Sequence, residues 1–148
     1  MNAYEKSLLR ECLTLAGITQ WYEDTMPENF YVPCIYFPAA HADPQSSTFN
    51  EYEARKTIYA KVFASTRRQA GEIAETISDG IMNLKRLIPL LNADGSESGE
   101  AFKVDAPITS VIDDGAAQII LTYKLHARFY EEEADGVHEI IINQELKQ

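Results

Sequence analysis

From Ala116 to Tyr130 the chain alternates apolar and polar residues without a slip. Ala117, Ile119, Leu121, Tyr123, Leu125, Ala127 and Phe129 fall on one side, and Gln118, Ile120, Thr122, Lys124, His126, Arg128 and Tyr130 on the other. A period of 2 sustained this long is a β-strand. About 15 residues at roughly 3.3 Å each reach about 50 Å. A compact domain of this chain's length is only about 40 Å across. The strand is therefore longer than one core requires. Its apolar side up to Leu125 is expected to pack under helices. The part from His126 through Glu133 is expected to project toward a neighbour or to bend at a bulge. Asp113-Asp114-Gly115 just before it supplies a hairpin turn.

With 148 residues the chain reads as one domain, 1–148, large enough to bury a core without staples. Residues 135–148 are a C-terminal extension whose role the pattern does not define. The net charge is −10, from 23 acids against 13 bases. Phosphate binding needs clustered cations, so nucleic acid is excluded as the main ligand. Such a surface suits a wall that DNA slides past. Cys12 and Cys34 lie in apolar patterns and read as buried, reduced thiols, with a disulfide as the alternative. The first residues lack a basic segment followed by a long apolar core, so no signal peptide is expected. No run approaches the roughly 18 apolar residues of a membrane span. The expectation is a soluble protein made in a reducing cytoplasm.

Along the chain, Asn2 and Glu5 form a capping box for a first helix that Gly17 ends. Tyr4, Leu8, Cys12 and Leu15 share its face. Residues 28–40 read as a strand, which Pro33 relegates to an edge or a bulge. Residues 41–50 read as a loop, and 54–64 as a strand. Thr66 and Gln69 cap a second helix. Its buried stripe is Ala70, Ile73, Ala74, Ile77, Ile81, Leu84 and Ile88, with Lys85 and Arg86 at its negative end and Pro89 as its stop. Gly80 suggests close approach to another backbone. Residues 92–100 read as a loop, 102–112 as a strand with Pro107 marking an edge or bulge, and Val137–Ile142 as a short strand. The fold class is α+β: a mainly antiparallel sheet of about four to five strands with two helices packed on one face.

No chemistry stands out. Asp94, Ser96, Ser98, Gly99 and Asp105 fit a calcium loop poorly, with serines at two ligand positions and a strand where a helix should follow. The acidic run Glu131–Asp135 alternates faces on a strand and reads as solvated charge that blunts the strand end. His41, His126 and His138 lack metal-pair spacing, and no nucleophile signature, phosphate loop or dinucleotide motif is present. No catalytic residue, cofactor or metal ligand is assigned, and the chain does not read as an enzyme. Trp21, Tyr22, Phe30, Tyr31, Tyr36 and Phe37 cluster in sequence. They fill a core or an interface more readily than they line a ligand groove.

The segment TIYAKVFASTRRQAGEIAETISDGIMNLKR joins a strand to an amphipathic helix through a short polar turn, and VDAPITSVIDDGAAQIILTYKLHARFY follows a loop. Over residues 1–132 this arrangement resembles the tail terminator (tail-completion) proteins of long-tailed bacteriophages and the related head–tail joining proteins. The resemblance is one of pattern and size, and residues from Asp135 on do not match it. It implies a non-enzymatic structural protein of the virion, located at the tail or the head–tail junction. Protomers would form a homo-oligomeric, hexameric ring that caps the tail tube. Partners would be the tail tube protein and head–tail connector proteins. DNA would pass through the lumen without specific binding, and no membrane would be involved. Arg67, Arg68, Lys124 and Arg128 could form a basic patch that pairs with acids of a neighbouring subunit. With His126 and Tyr130 they make up the candidate subunit or partner interface. The alternatives are another head–tail connector or minor capsid protein, or a small cellular α+β ligand-binding module that uses its aromatic edge.

Overall fold

The computed structural model describes the backbone of residues 1–46, 51–128, 130–131 and 140–141, and side chains at 1–43 and 53–125. In chain order the elements are α1 Ala3–Ala16, β1 Trp21–Tyr22, β2 Cys34–Tyr36, β3 His41–Ser46, β4 Glu51–Phe63, α2 Arg67–Asn83, β5 Leu87–Leu91, β6 Glu97–Lys103, β7 Ile108–Asp113, β8 Ala116–Arg128, β9 Tyr130–Glu131 and β10 Ile140–Ile141. A six-stranded sheet runs β1-β2-β4-β8-β7, with β3 also on β4. Ladders β5–β6 and β9–β10 stand apart from it. β1 pairs with β2 in parallel, whereas β2–β4, β7–β8, β5–β6 and β9–β10 are antiparallel. The fold is α+β with a mostly antiparallel sheet, as the pattern predicts, but with more strands than the expected four to five.

The chain divides into two compact units, 1–40 with 57–123, and 41–56 with 124–148. β4 and β8 each contribute residues to both. In the first unit the long strand behaves as its alternation demands. Ala117, Ile119, Leu121 and Tyr123 are buried at 0–1% exposure, and Lys124, the next residue, belongs to the second unit. One core thus uses β8 only as far as Tyr123. Both helices lie over this same face. Tyr123 stacks on Tyr4 of α1 at 5.8 Å. Val111, the cross-strand partner of Ala117, sits beneath α2 at Gly71. Ile58, Ala60 and Val62 of β4, Ile35 of β2 and Ile88 of β5 complete the core.

Local sequence sets both helix starts. Asn2 Oδ1 accepts from the Glu5 N–H at 2.8 Å, and the Asn2 N–H donates to Glu5 Oε1 at 2.9 Å. The other Glu5 oxygen accepts from the Ala40 N–H at 3.1 Å, which ties the cap to the chain leaving β2. Gly17 closes α1 in the left-handed region at φ 69°. In α2, Thr66 Oγ1 accepts from the Gln69 N–H at 3.1 Å, while the Gln69 side chain reaches the N–H of Ser65 rather than that of the cap residue. Ala70, Ala74, Ile77 and Ile81 form the buried stripe. Gly80 does mark a close approach, to the Leu15 side chain rather than to a backbone: a Cβ there would lie 2.5 Å from Leu15 Cδ2.

Several expectations are corrected. α2 stops at Asn83, because Lys85 and Arg86 take positive φ of 60° and 63°. Neither lies in the last helical turn, and Leu84 is exposed. Ile88 and Pro89 instead belong to β5, which pairs with β6. Pro33 lies outside β2, and β2 is not an edge strand, since β1 flanks it opposite β4. Residues 41–46 form strand β3 rather than a loop. The loop expected over 92–100 shrinks to the turn before β6, whose first residue is Glu97. Pro107 falls just before β7, which is the sheet edge that proline implied.

Nothing in the sequence pattern calls for burying Ser7, yet it is 2% exposed. Its Oγ donates to the Ala3 carbonyl at 2.6 Å and accepts from the Leu91 N–H at 2.9 Å, joining α1 to β5. Ser7→Ala strands the Leu91 donor. A cost of about 1–3 kcal/mol in urea unfolding is expected; an unchanged midpoint would refute this role for the hydroxyl.

In the second unit β9 pairs with β10, with Ile140 opposite Glu131 and Ile141 opposite Tyr130. β10 falls within the strand expected at Val137–Ile142; the rest of that segment and the acids Glu132–Asp135 lie outside the described residues. Lys124 Nζ is 3.8 Å from Glu53 Oε2, a partly exposed ion pair of little energetic weight.

Candidate assembly surface

Among the described residues, no group of three or more His, Cys, Asp or Glu side chains could hold a metal ion. The poor calcium motif serves as a turn: Asp94 Oδ1 accepts from the N–H and the hydroxyl of Ser96 at 2.9 and 2.6 Å. These bonds hold the Asp94 carboxyl below its ordinary value. Ser98 donates instead to the Leu90 carbonyl, within the β5–β6 hairpin. Both cysteines are free thiols. Burial pushes Cys12 up to about 12 and Cys34 up to about 11, so neither presents a thiolate at neutral pH. Burial, and next the Glu5 carboxylate, raise the Tyr123 phenol to about 12.

The aromatic cluster divides. Phe37 is fully buried, and Phe30 packs against Phe63 at 5.2 Å. The Tyr36 hydroxyl donates to the Asp24 carbonyl at 3.3 Å. Trp21 and Tyr31 remain 40% and 72% exposed.

What is left is surface, and its most distinctive part lies where α2 crosses β7. Arg67 and Arg68 occupy the first turn of α2, which contains no acidic residue. Two cations at the positive end of a helix dipole cost a few tenths of a kcal/mol. Neither makes an ion pair among the described residues. With Gly71, Glu72, Glu75 and Val111 they line an open groove. Gly71 lets the helix sit low on β7, since a Cβ there would be 3.3 Å from Val111 Cγ2. β7 forms one end of the sheet and leaves Ile108, Val111 and Ile112 exposed at 61%, 40% and 45%. Branched apolar residues on an open edge are what soluble monomers avoid.

Of the six candidate interface residues, the structure describes the side chains of Arg67, Arg68 and Lys124. Arg67 and Arg68 share the α2–β7 groove in the first unit. Lys124 belongs to the second unit and is already paired with Glu53. His126 and Arg128 lie on β8 and Tyr130 on β9, but their side chains fall outside the described residues. The groove's apolar floor went unread in the sequence, because Val111 reads as ordinary strand and only its position beneath α2 at Gly71 reveals it.

No family model matches the chain. It is 25% identical over 126 residues to the phage-like element PBSX protein XkdJ of Bacillus subtilis (strain 168), covering 85% of this chain and 86% of that protein. It is 29% identical over 116 residues to the uncharacterized protein YqbJ of the same organism, covering 78% of each. Among solved structures, a chain from the virion of a native gene transfer agent particle superposes with a TM-score of 0.48 at 14% identity, covering 85% of this chain and 95% of that one. Over most of its length, then, this chain is similar to a protein of a phage-like element.

Proposed function

We propose that the chain is a non-enzymatic structural protein of a phage or phage-like particle. Within that class we propose a tail terminator: a homo-oligomeric ring that caps the tail tube and joins it to the head. The supporting observation is the similarity to the PBSX protein, which extends over 85% of the chain and is not confined to one motif. The surface chemistry agrees with it. A net charge of −10 disfavours DNA binding and suits a wall that DNA passes. The exposed β7 edge with Arg67 and Arg68 suits a contact with another protein. His126, Arg128 and Tyr130 are assigned to a second subunit or partner contact on the distal part of β8 and on β9.

The test is assembly beside the matching tail tube protein. Purified chain should form rings by negative stain, and tubes grown in its presence should stop at bounded lengths with a ring at one end. A chain that stays monomeric at all concentrations, with tubes growing as if it were absent, rejects the terminator. Rings that bind the head connector but leave tube length unchanged would move the assignment to a connector protein.

A further inference from the structure

We propose that the α2–β7 groove of one copy receives the Trp21–Asp24 segment of a second copy. The inference rests on the ring reading above and identifies the contact that closes the ring. The two surfaces lie at opposite ends of one sheet, β1 at one edge and β7 at the other. A contact between unlike edges is heterologous, the kind that propagates head to tail and closes into a ring.

The chemistry of the two edges is complementary. The groove has a small apolar floor, Gly71 and Val111. Its open end carries Arg67 and Arg68, which have no acidic partner among the described residues. At the other edge Trp21 is 40% exposed, and Glu23 and Asp24 follow directly after β1. A tryptophan seated on a branched apolar floor, beside a guanidinium, is the kind of anchor that dominates protein interfaces. The two carboxylates behind it would meet the arginines. Glu72 and Glu75 also line the groove, further along α2, so the acidic segment must enter from the arginine end. Copies carrying −10 each repel at long range, and a pair of cations such as Arg67 and Arg68 locally offsets that repulsion for an acidic segment of another copy.

Two measurements test this on the full chain. Arg67→Glu with Arg68→Glu should raise the concentration at which rings assemble by at least about tenfold, with circular dichroism unchanged. Adding Glu23→Arg and Asp24→Arg to that variant should restore assembly. If the reversal perturbs the fold, Arg67→Ala with Arg68→Ala replaces it, with a smaller shift expected. Separately, Val111→Cys with Thr25→Cys should give a cross-linked ladder with a short bis-maleimide, and each single variant should give none. Cys12 and Cys34 are buried, so the unmodified chain supplies a silent background. Rings that form equally well after charge reversal, or dimers from Val111→Cys alone, overturn the proposal. An edge covered by the chain's own C-terminal residues would leave the thiol introduced by Val111→Cys unreactive, and that too overturns it. Rings that cross-link as expected but leave tube growth unbounded would keep this contact and reject the terminator role.

Discussion

Replacing Ile77 with aspartate is expected to abolish the cooperative thermal transition of the chain. Ile77 has no exposed surface and lies on the α2 stripe with Ala70, Ala74 and Ile81. The substitution removes a buried branched side chain, worth about 2–5 kcal/mol when truncated. It also places a carboxylate where no described cation is paired to receive it. Burying an unpaired charge costs several kcal/mol more. The sum rivals the whole stability of a domain this size, about 5–15 kcal/mol. Ile77→Val is the control, with an expected cost of about 0.5–1.5 kcal/mol and a retained transition. Arg67→Ala, exposed on the same helix, should fall within about 0.5 kcal/mol of the parent. A folded, soluble Ile77→Asp variant with an unchanged melting temperature would mean that the helix presents a different face to the sheet.

Elements whose ends are fixed by neighbouring residues were legible in the sequence. Asn2 and Glu5 satisfy each other's donors within one turn, and Gly17 takes a conformation that favours glycine. The alternation of β8 needs no partner to be read. Elements fixed by distant partners were not legible. Leu84 and Ile88 continue the helical spacing, so nothing local ends α2 before Pro89. The chain turns because Lys85 and Arg86 adopt positive φ, the Arg86 carbonyl accepts from the Val104 N–H at 2.9 Å, and β5 pairs with β6. β1, of two residues, has no period at all; it exists because Ile35 and Phe37 donate to the Gln20 and Tyr22 carbonyls at 3.2 and 2.8 Å. The candidate surface divided the same way. Arg67 and Arg68 were visible as adjacent cations of a candidate interface patch. The β7 edge was foreshadowed by Pro107. The groove and the opposing β1 edge depend on tertiary placement and had no sequence signal. The length of β8 has a partial explanation in these terms: residues to Tyr123 serve the helix-covered unit, and those from Lys124 serve the other.

Gly115→Ala should destabilise the chain far more than Gly17→Ala, although both glycines hold nearly the same positive φ. Their φ angles are 76° and 69°. An L-residue in the left-handed region costs roughly 1–2 kcal/mol, and this part of the penalty is common to both sites. Their surroundings differ. Nothing lies within 4 Å of a Cβ at Gly17, whereas a Cβ at Gly115 would lie 2.7 Å from the carbonyl oxygen of Ala64. That obstacle is backbone and cannot rotate away. It is also held in place, because the Ala64 N–H donates to the Gly115 carbonyl at 2.8 Å and so ties the end of β4 to the β7–β8 turn. Relieving the clash means breaking that bond or shifting the turn out of register with β7. Gly17→Ala is therefore expected to cost about 1 kcal/mol, and Gly115→Ala about 3 kcal/mol or more. Gly115→Val should be worse still, since a β-branched residue tolerates positive φ least. Urea unfolding of the three variants measures the differences directly. Equal costs for Gly17→Ala and Gly115→Ala would show that the turn moves freely away from Ala64. The β7 edge would then be held less firmly than a subunit contact built on it requires.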